Sequence, residues 1–339
     1  GKKVKTKKIS PCLKLWLAVF ALVPFFALNI FFGSLDIPAT KVVEILFSSS
    51  AANDAATYII LQSRLPQAIV AMLCGASLSV AGLLLQTAFR NPLAGPSIFG
   101  ITSGASLAVA LITLLLGGSA TALGFQLSIV VAAFVGASIV TAIVLALSSI
   151  VRSNTMLLIV GIMIGYIASS AITLLNYFAS EEGVRNYLLW GMGNFGDVSL
   201  QQLPLFTILS LVGIFASLML IKPLNTLLLG DRYAENLGIN IRRVRNQLLI
   251  VTGLLTAVST AYCGPVAFLG LAVPHIARLV TNTENHRQLL PATILCGAIV
   301  ALLCNFLTTL PPNGTLLPLN AITPLIGAPV IIYVVLLKR

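Results

Sequence analysis

The chain is poor in charge. Asp, Glu, Lys and Arg make up 9% of its 339 residues and hydrophobic residues 58%, whereas globular domains are about a quarter charged. With a mean hydropathy of +1.02, this composition excludes a soluble domain, which has no interior large enough to hide so much apolar surface. Acidic residues number nine, and none falls squarely inside an apolar run. That argues against a proton-coupled carrier, which keeps a carboxylate or histidine relay at membrane depth. His275 is the single candidate for such a relay, and its place near a broken helix end reads better as a structural histidine. Cys12, Cys74, Cys263, Cys296 and Cys304 form no CxxC pair and read as small apolar packing residues. With no Ser/His/Asp set, HExxH or Cys/His cluster, neither a catalytic residue nor a metal ligand is expected.

Long apolar runs are what the chain does have. A spanning helix takes about 20 mostly apolar residues to cross roughly 30 Å of hydrocarbon. Ten such segments are predicted, at 13–33, 65–89, 96–116, 124–150, 156–178, 200–221, 244–263, 266–281, 288–310 and 320–337. The eighth is short and interrupted by Pro274. The expected fold is an all-α integral membrane protein, read as one transmembrane domain over 1–339.

The basic residues orient it. Seventeen of the 20 Lys and Arg precede the first segment, follow the last, or fall in or beside the even-numbered gaps. The exceptions are Lys41, Arg64 and Arg185. Since Lys and Arg are retained on the cytoplasmic side during insertion, both termini are expected there. The net charge of +11 is then a signature of topology and calls for no nucleic-acid partner.

Two features stand out between the spans. Within the inner segment 222–245, Gly230 and Gly238 bracket a short helix, DRYAENL, with Asp231 at its positive end. Tyr233, Ala234 and Leu237 are spaced to share a face. Followed by Arg242, Arg243 and Arg245, this reads either as a docking helix for a soluble partner or as a solvated connection. The second feature is an echo. Gly95, Pro96, Phe99 and Gly100 precede or open the third segment, while Gly264, Pro265, Phe268 and Gly270 precede or open the eighth, on the opposite face. An inverted repeat of spans two to five against seven to ten leaves this trace. On the outer side Ile37–Phe47 reads as an interfacial helix. Arg64 and Arg185 read there either as docking cations for an acidic partner or as headgroup anchors.

Several longer motifs carry a family resemblance. Residues 63–107 (SRLPQAIVAMLCGASLSVAGLLLQTAFRNPLAGPSIFGITSGASL), 230–246 (GDRYAENLGINIRRVRN), 264–279 (GPVAFLGLAVPHIARL) and 320–336 (NAITPLIGAPVIIYVVL) closely resemble FecCD-type permease subunits of ABC importers for cobalamin, haem and ferric siderophores. The resemblance covers nearly everything after Lys41. It implies ten helices per subunit and a homodimer with two ATP-binding cassette subunits below and a periplasmic binding protein above, in the bacterial inner membrane. The chain would bind no cofactor, ATP and Mg²⁺ belonging to the partner ATPase.

Site residues follow by the same resemblance. Gly230, Asp231, Tyr233, Ala234, Glu235, Leu237 and Gly238, with Arg242 and Arg245, match the cytoplasmic coupling segment. Asn91 and Leu93 match one cytoplasmic gate, and Ser153, Asn154 and Thr155 a second. The fifth and tenth spans would line the pathway, the fifth with small residues such as Gly161, Gly165 and Ser169. Cobalamin permeases start the second span with two arginines that meet glutamates on the binding protein. Here Arg64 is kept but Gln67 stands in the second place, so docking is expected to rest on Arg64 with Arg185 or Lys41. An ion-gradient-driven secondary transporter is the competing reading.

Overall fold

The computed structural model describes residues 10–47, 54–116, 122–151, 153–311 and 314–337. Among them all regular structure is helical. Helix α1 (Pro11–Phe31) is capped by Ser10, whose hydroxyl accepts from the Leu13 amide at 3.3 Å. The outer helix α2 (Ala39–Phe47) follows Pro38 as expected. The short α3 (Ala55–Tyr58) runs through a π-helical turn at Ile59–Arg64 into α4 (Leu65–Phe89). Then come α5 (Ile101–Leu116), α6 (Ala122–Ser148), α7 (Asn154–Phe178) and α8 (Glu181–Gly191). Helix α9 (Leu203–Met219) bends by 51° into α10 (Ile221–Leu227). The chain continues through α11 (Asp231–Asn236), α12 (Ile241–Cys263), α13 (Leu269–Thr281), α14 (His286–Thr308) and α15 (Leu319–Leu337).

Among the described residues seven helices are long and apolar enough to span a bilayer, and the bent α9–α10 pair makes an eighth when taken as one span. The shorter apolar helices α5 and α13 occupy the two remaining predicted segments. Both start later than predicted, for local reasons. Residues 92–100 are spent in turns that end at Gly100, φ 75°, so α5 opens at Ile101. Gly264 (φ 74°) and Phe268 (φ 69°) break the chain before α13. Its 13 residues reach only about 20 Å. The inner segment 222–245 also differs from a plain loop, because α10 occupies its start with Leu224 and Leu227 buried.

Helix α4 is the axis of the bundle. Every residue from Cys74 to Phe89 is buried, as expected of a helix that is apolar on all sides. Small residues let its neighbours approach at backbone distance. A Cβ on Gly75 would stand 2.3 Å from the Gly297 carbonyl oxygen on α14, and one on Gly82 only 1.7 Å from that of Gly270 on α13.

The packing shows the repeat. Helix α4 contacts α14 and α13, and α12 contacts α6 and α5. Helix α5 contacts α6 and α7, and α13 contacts α14 and α15. Exchanging α4–α7 with α12–α15 therefore reproduces the pairings. Arg245 near the start of α12 lies over the Phe89 ring at the end of α4, 5.9 Å from its centroid. The two lead helices run antiparallel, so the repeat is inverted.

Candidate functional site

The basic gaps converge on one end of the bundle. Lys14 donates to the Val280 carbonyl at 2.9 Å, Arg242 to Ser149 at 3.3 Å and Arg90 to Leu227 at 3.3 Å. Arg278 bridges Gln86 Oε1 (2.7 Å) and Glu284 Oε2 (3.1 Å). These bonds knit the loops that the charge pattern had assigned to one face. Lys2 to Lys8, Arg152, Lys338 and Arg339 lie outside the described residues.

On this end sits α11. Gly230 (φ 109°) and Gly238 (φ 82°) make its entry and exit in backbone conformations that favour glycine. The Ala234 amide donates to the Gly230 carbonyl at 2.9 Å, and the Ile239 amide returns to Ala234 at 3.1 Å. The helix is one residue shorter than expected, Leu237 serving as its C-cap. The shared face needs correction: Ala234 is fully buried and anchors the helix, while Tyr233 and Leu237 point out, 54% and 58% exposed. Leu229 is exposed beside them, and Glu235 and Arg242 are exposed too. This apolar patch lies at the polar end of the bundle, among charged residues, where lipid tails do not account for it.

Asp231 pairs with Arg90 at 2.7 Å. Arg90 is the left-handed C-cap of α4 (φ 48°), so the ion pair fastens α11 to the axial helix. Arg245 leans inward over Phe89 and Arg242 caps the end of α6. Both arginines serve to hold the segment onto the bundle.

The expected gate residues occupy turns at the same end. Asn91 Oδ1 accepts from the Leu93 amide at 2.9 Å, closing an Asx turn that leaves Leu93 half exposed. His275 Nε2 meets the Pro92 carbonyl at 2.8 Å, so its ring braces that turn. Ser153 caps α7 through the Met156 amide at 3.4 Å. Thr155 is exposed, and the buried Asn154 Oδ1 has no hydrogen-bond partner among the described residues.

The three pathway candidates on α7 separate. Ser169 is exposed and Gly165 faces Ser103 on α5. Gly161 is buried, and a Cβ there would stand 2.7 Å from the Ile98 oxygen and from Phe99 Cα. It is a packing contact with the 98–99 turn. On the same helix Met163, Tyr166 and Ile167 are exposed instead.

At the other end, Arg64 corrects the expectation of an outward-facing cation. It is 6% exposed. Its guanidinium lies against Gly33 and donates to the carbonyls of Ile30 (3.0 Å), Phe31 (3.2 Å) and Leu35. It ties the outer end of α1 to α4. Gln67 also turns inward, donating to Asn305 at 3.0 Å. Lys41 pairs with Asp54 at 2.5 Å. Arg185 is exposed on α8. Sequence reasoning missed the Arg90–Asp231 pair, whose members are 141 residues apart, and the bonding of Asn320. The first span gave no hint of Asn29, whose Oδ1 accepts from Asn305 at 2.8 Å.

An inverted repeat of membrane helices, with an apolar patch on its polar end, defines a multi-pass membrane protein of the transporter class. The FecCD transport family model matches residues 20–337, and the chain belongs to that family. It is 37% identical to the vitamin B12 import system permease protein BtuC of Citrobacter koseri over 278 residues, 82% of this chain and 83% of the relative. It is 33% identical to the hemin transport system permease protein HmuU of Yersinia pestis, covering 91% and 92% of the two chains. A solved metal-chelate type ABC transporter in an inward-facing conformation superposes with TM-score 0.82 at 28% identity, covering 97% of this chain and all of the other.

Proposed function

We propose that the chain is the transmembrane permease subunit of an ATP-binding-cassette importer that carries a metal chelate, cobalamin, haem or a ferric siderophore, from periplasm to cytoplasm. It works as a homodimer with two ATP-binding cassette subunits and a periplasmic binding protein, in the bacterial inner membrane with both termini cytoplasmic. The chain itself performs no covalent chemistry, since ATP and Mg²⁺ are held by the partner. The observation that carries this reading is the exposure of Tyr233 on α11, of Leu237 at its C-cap and of Leu229 just before its N-cap, on a segment clamped to the bundle by Ala234 and Asp231. A partner pushing on that face moves the end of α4 through Arg90, and α4, the lead helix of the first half, packs on α12, α13 and α14 of the second. Rigid-body motion of the two halves then alternates access to the pathway. The family membership and the relatives' transport roles support the same reading.

The test is uptake by proteoliposomes holding the protein with its cognate ATPase and binding protein. Labelled cobalamin is supplied with haem and a ferric siderophore as competitors, with and without ATP. ATP-dependent accumulation of one chelate is the expected result. Accumulation driven by an ion gradient without ATP would overturn it.

A further inference from the structure

Asn320, at the start of α15, uses both polar atoms of its amide, and its three side-chain hydrogen bonds reach two other pieces of chain. Its Nδ2 donates to the Gly191 carbonyl at 2.9 Å and to the Pro265 carbonyl at 2.6 Å. Its Oδ1 accepts from the Ala267 amide at 3.0 Å. The Asn320 backbone amide donates to Met192 at 3.0 Å. One residue therefore joins the C-terminal end of α8, the break between α12 and α13, and the first turn of α15. Two further contacts draw the same pieces together. The Asn194 amide donates to the Cys263 carbonyl at 2.9 Å, and a Cβ on Gly264 would lie 2.5 Å from the Trp190 oxygen.

The opposite end of α8 belongs to the other half of the repeat. A Cβ on Gly183 would stand 2.7 Å from the Thr113 carbonyl oxygen and 3.4 Å from Leu114 Cα, both on α5. Helix α8 is thus a strut across the outer face, seated on the first half at Gly183 and bolted to the second at Asn320. The halves also pack on each other directly through α4 and α12, and where the strut links them their relative motion falls on one of these two seats. The Gly183 seat is van der Waals contact between backbones. The Asn320 seat is directional, with three side-chain hydrogen bonds of fixed geometry.

We infer that Asn320 is a positioning residue for transport: it fixes the second-half end of the α8 strut, so that the α12–α13 break, α8 and α15 move as one body at the outer end. This rests on the permease reading. Asn320→Asp tests it with little change of shape, because the acceptor for Ala267 survives while both donors become a carboxylate oxygen facing two carbonyls. Asn320→Ser removes the bridge without adding charge.

Each variant is compared with the wild-type chain by hydrogen exchange in nanodiscs and by uptake in the assembled complex. Exchange is expected to rise about tenfold at residues 191–194 and 266–268 and to stay unchanged in α4 and α14. The maximal uptake rate is expected to fall at least about fivefold, with the half-saturating chelate concentration little altered. Uptake within about twofold of wild type in both variants, or exchange rising throughout the bundle, overturns the assignment. The exchange measurement reads the seat whether or not the chain is a permease, so a wild-type complex that imports nothing indicts only the function.

Discussion

Arg90 Nη2 lies 2.7 Å from Asp231 Oδ1, joining the left-handed cap of the most buried helix to the first residue of the most exposed one. Both side chains are more than 40% exposed, so the pair adds no more than about 1 kcal/mol to stability. Its value is mechanical, because no other side-chain hydrogen bond among the described residues joins α11 to the bundle.

Breaking that pair should separate stability from coupling. Arg90→Asn suits the left-handed backbone and removes the charge, and Asp231→Asn removes its partner. Each is expected to shift the unfolding free energy by less than about 1 kcal/mol and to cut ATP-driven uptake several-fold. The double variant should be no worse than the worse single one, as a shared pathway requires. Strictly additive losses of uptake would show that the two residues act apart.

Opposite outcomes are expected on the two sides of α11. Leu237→Glu leaves the fold intact, since the side chain is 58% exposed, but weakens ATPase-subunit binding at least about tenfold. Ala234→Leu forces a large side chain into a fully buried position and costs about 1–3 kcal/mol. Thermal unfolding in detergent and a binding titration with the purified ATPase subunit separate the two effects.

The bundle was largely legible from sequence because membrane helices announce themselves by length. Leu65–Phe89 was placed to the residue for that reason, and the basic gaps sorted the loops because insertion sorts Lys and Arg. Side-chain direction was not legible. Gly161 looked like a pathway residue because small residues serve equally to line a channel and to seat a neighbouring turn. Arg64 looked like a docking cation because sequence shows its charge and not the three carbonyls that enclose it. Asn320 passed as one letter of a motif, since its partners are contributed by segments 55 and 129 residues away.

Backbone-distance packing gives a sharp contrast between glycines. Gly75→Leu drives a side chain into the Gly297 carbonyl, only 2.3 Å from where the Cβ would start. It should abolish the packing of α4 on α14 and with it stable expression. Gly95→Ala meets nothing within 4 Å and should change stability by less than about 0.5 kcal/mol. Fluorescence-detected size exclusion of the two variants checks both.

Acid should release the Lys41–Asp54 pair. The hydrogen bond from Lys41, with those from the Thr57 amide and hydroxyl, lowers the Asp54 carboxyl to about 2. Being depressed in the folded state, it stabilises fully above its unfolded value near 3.9 and loses that contribution as pH falls from there through about 2. Asp54→Asn keeps an acceptor for the Thr57 amide and removes the charge. The wild-type protein should melt higher than this variant at pH 6, and the gap should close between pH 4 and 2. A gap independent of pH would assign the difference to the cap alone.

Arg64 and Arg185, read together as docking cations from sequence, should part company on mutation. Removing the Arg64 side chain leaves the carbonyls of Ile30, Phe31 and Leu35 without their donor and opens space beside Gly33. Arg64→Ala is therefore expected to cost about 2–4 kcal/mol of stability, whether or not a binding protein is present. Arg185 is exposed on α8, and Arg185→Glu should leave thermal unfolding unchanged. It should reduce the binding protein's affinity for the complex, and more so at low ionic strength, where an exposed charge is least screened. Measuring both variants for unfolding and for binding-protein affinity at two salt concentrations decides the matter. If Arg185→Glu binds like wild type at low salt, the binding protein docks without that cation, and the apolar groove formed by Val184, Leu188 and Leu189 of the same helix with its C-cap Met192 becomes the contact to test.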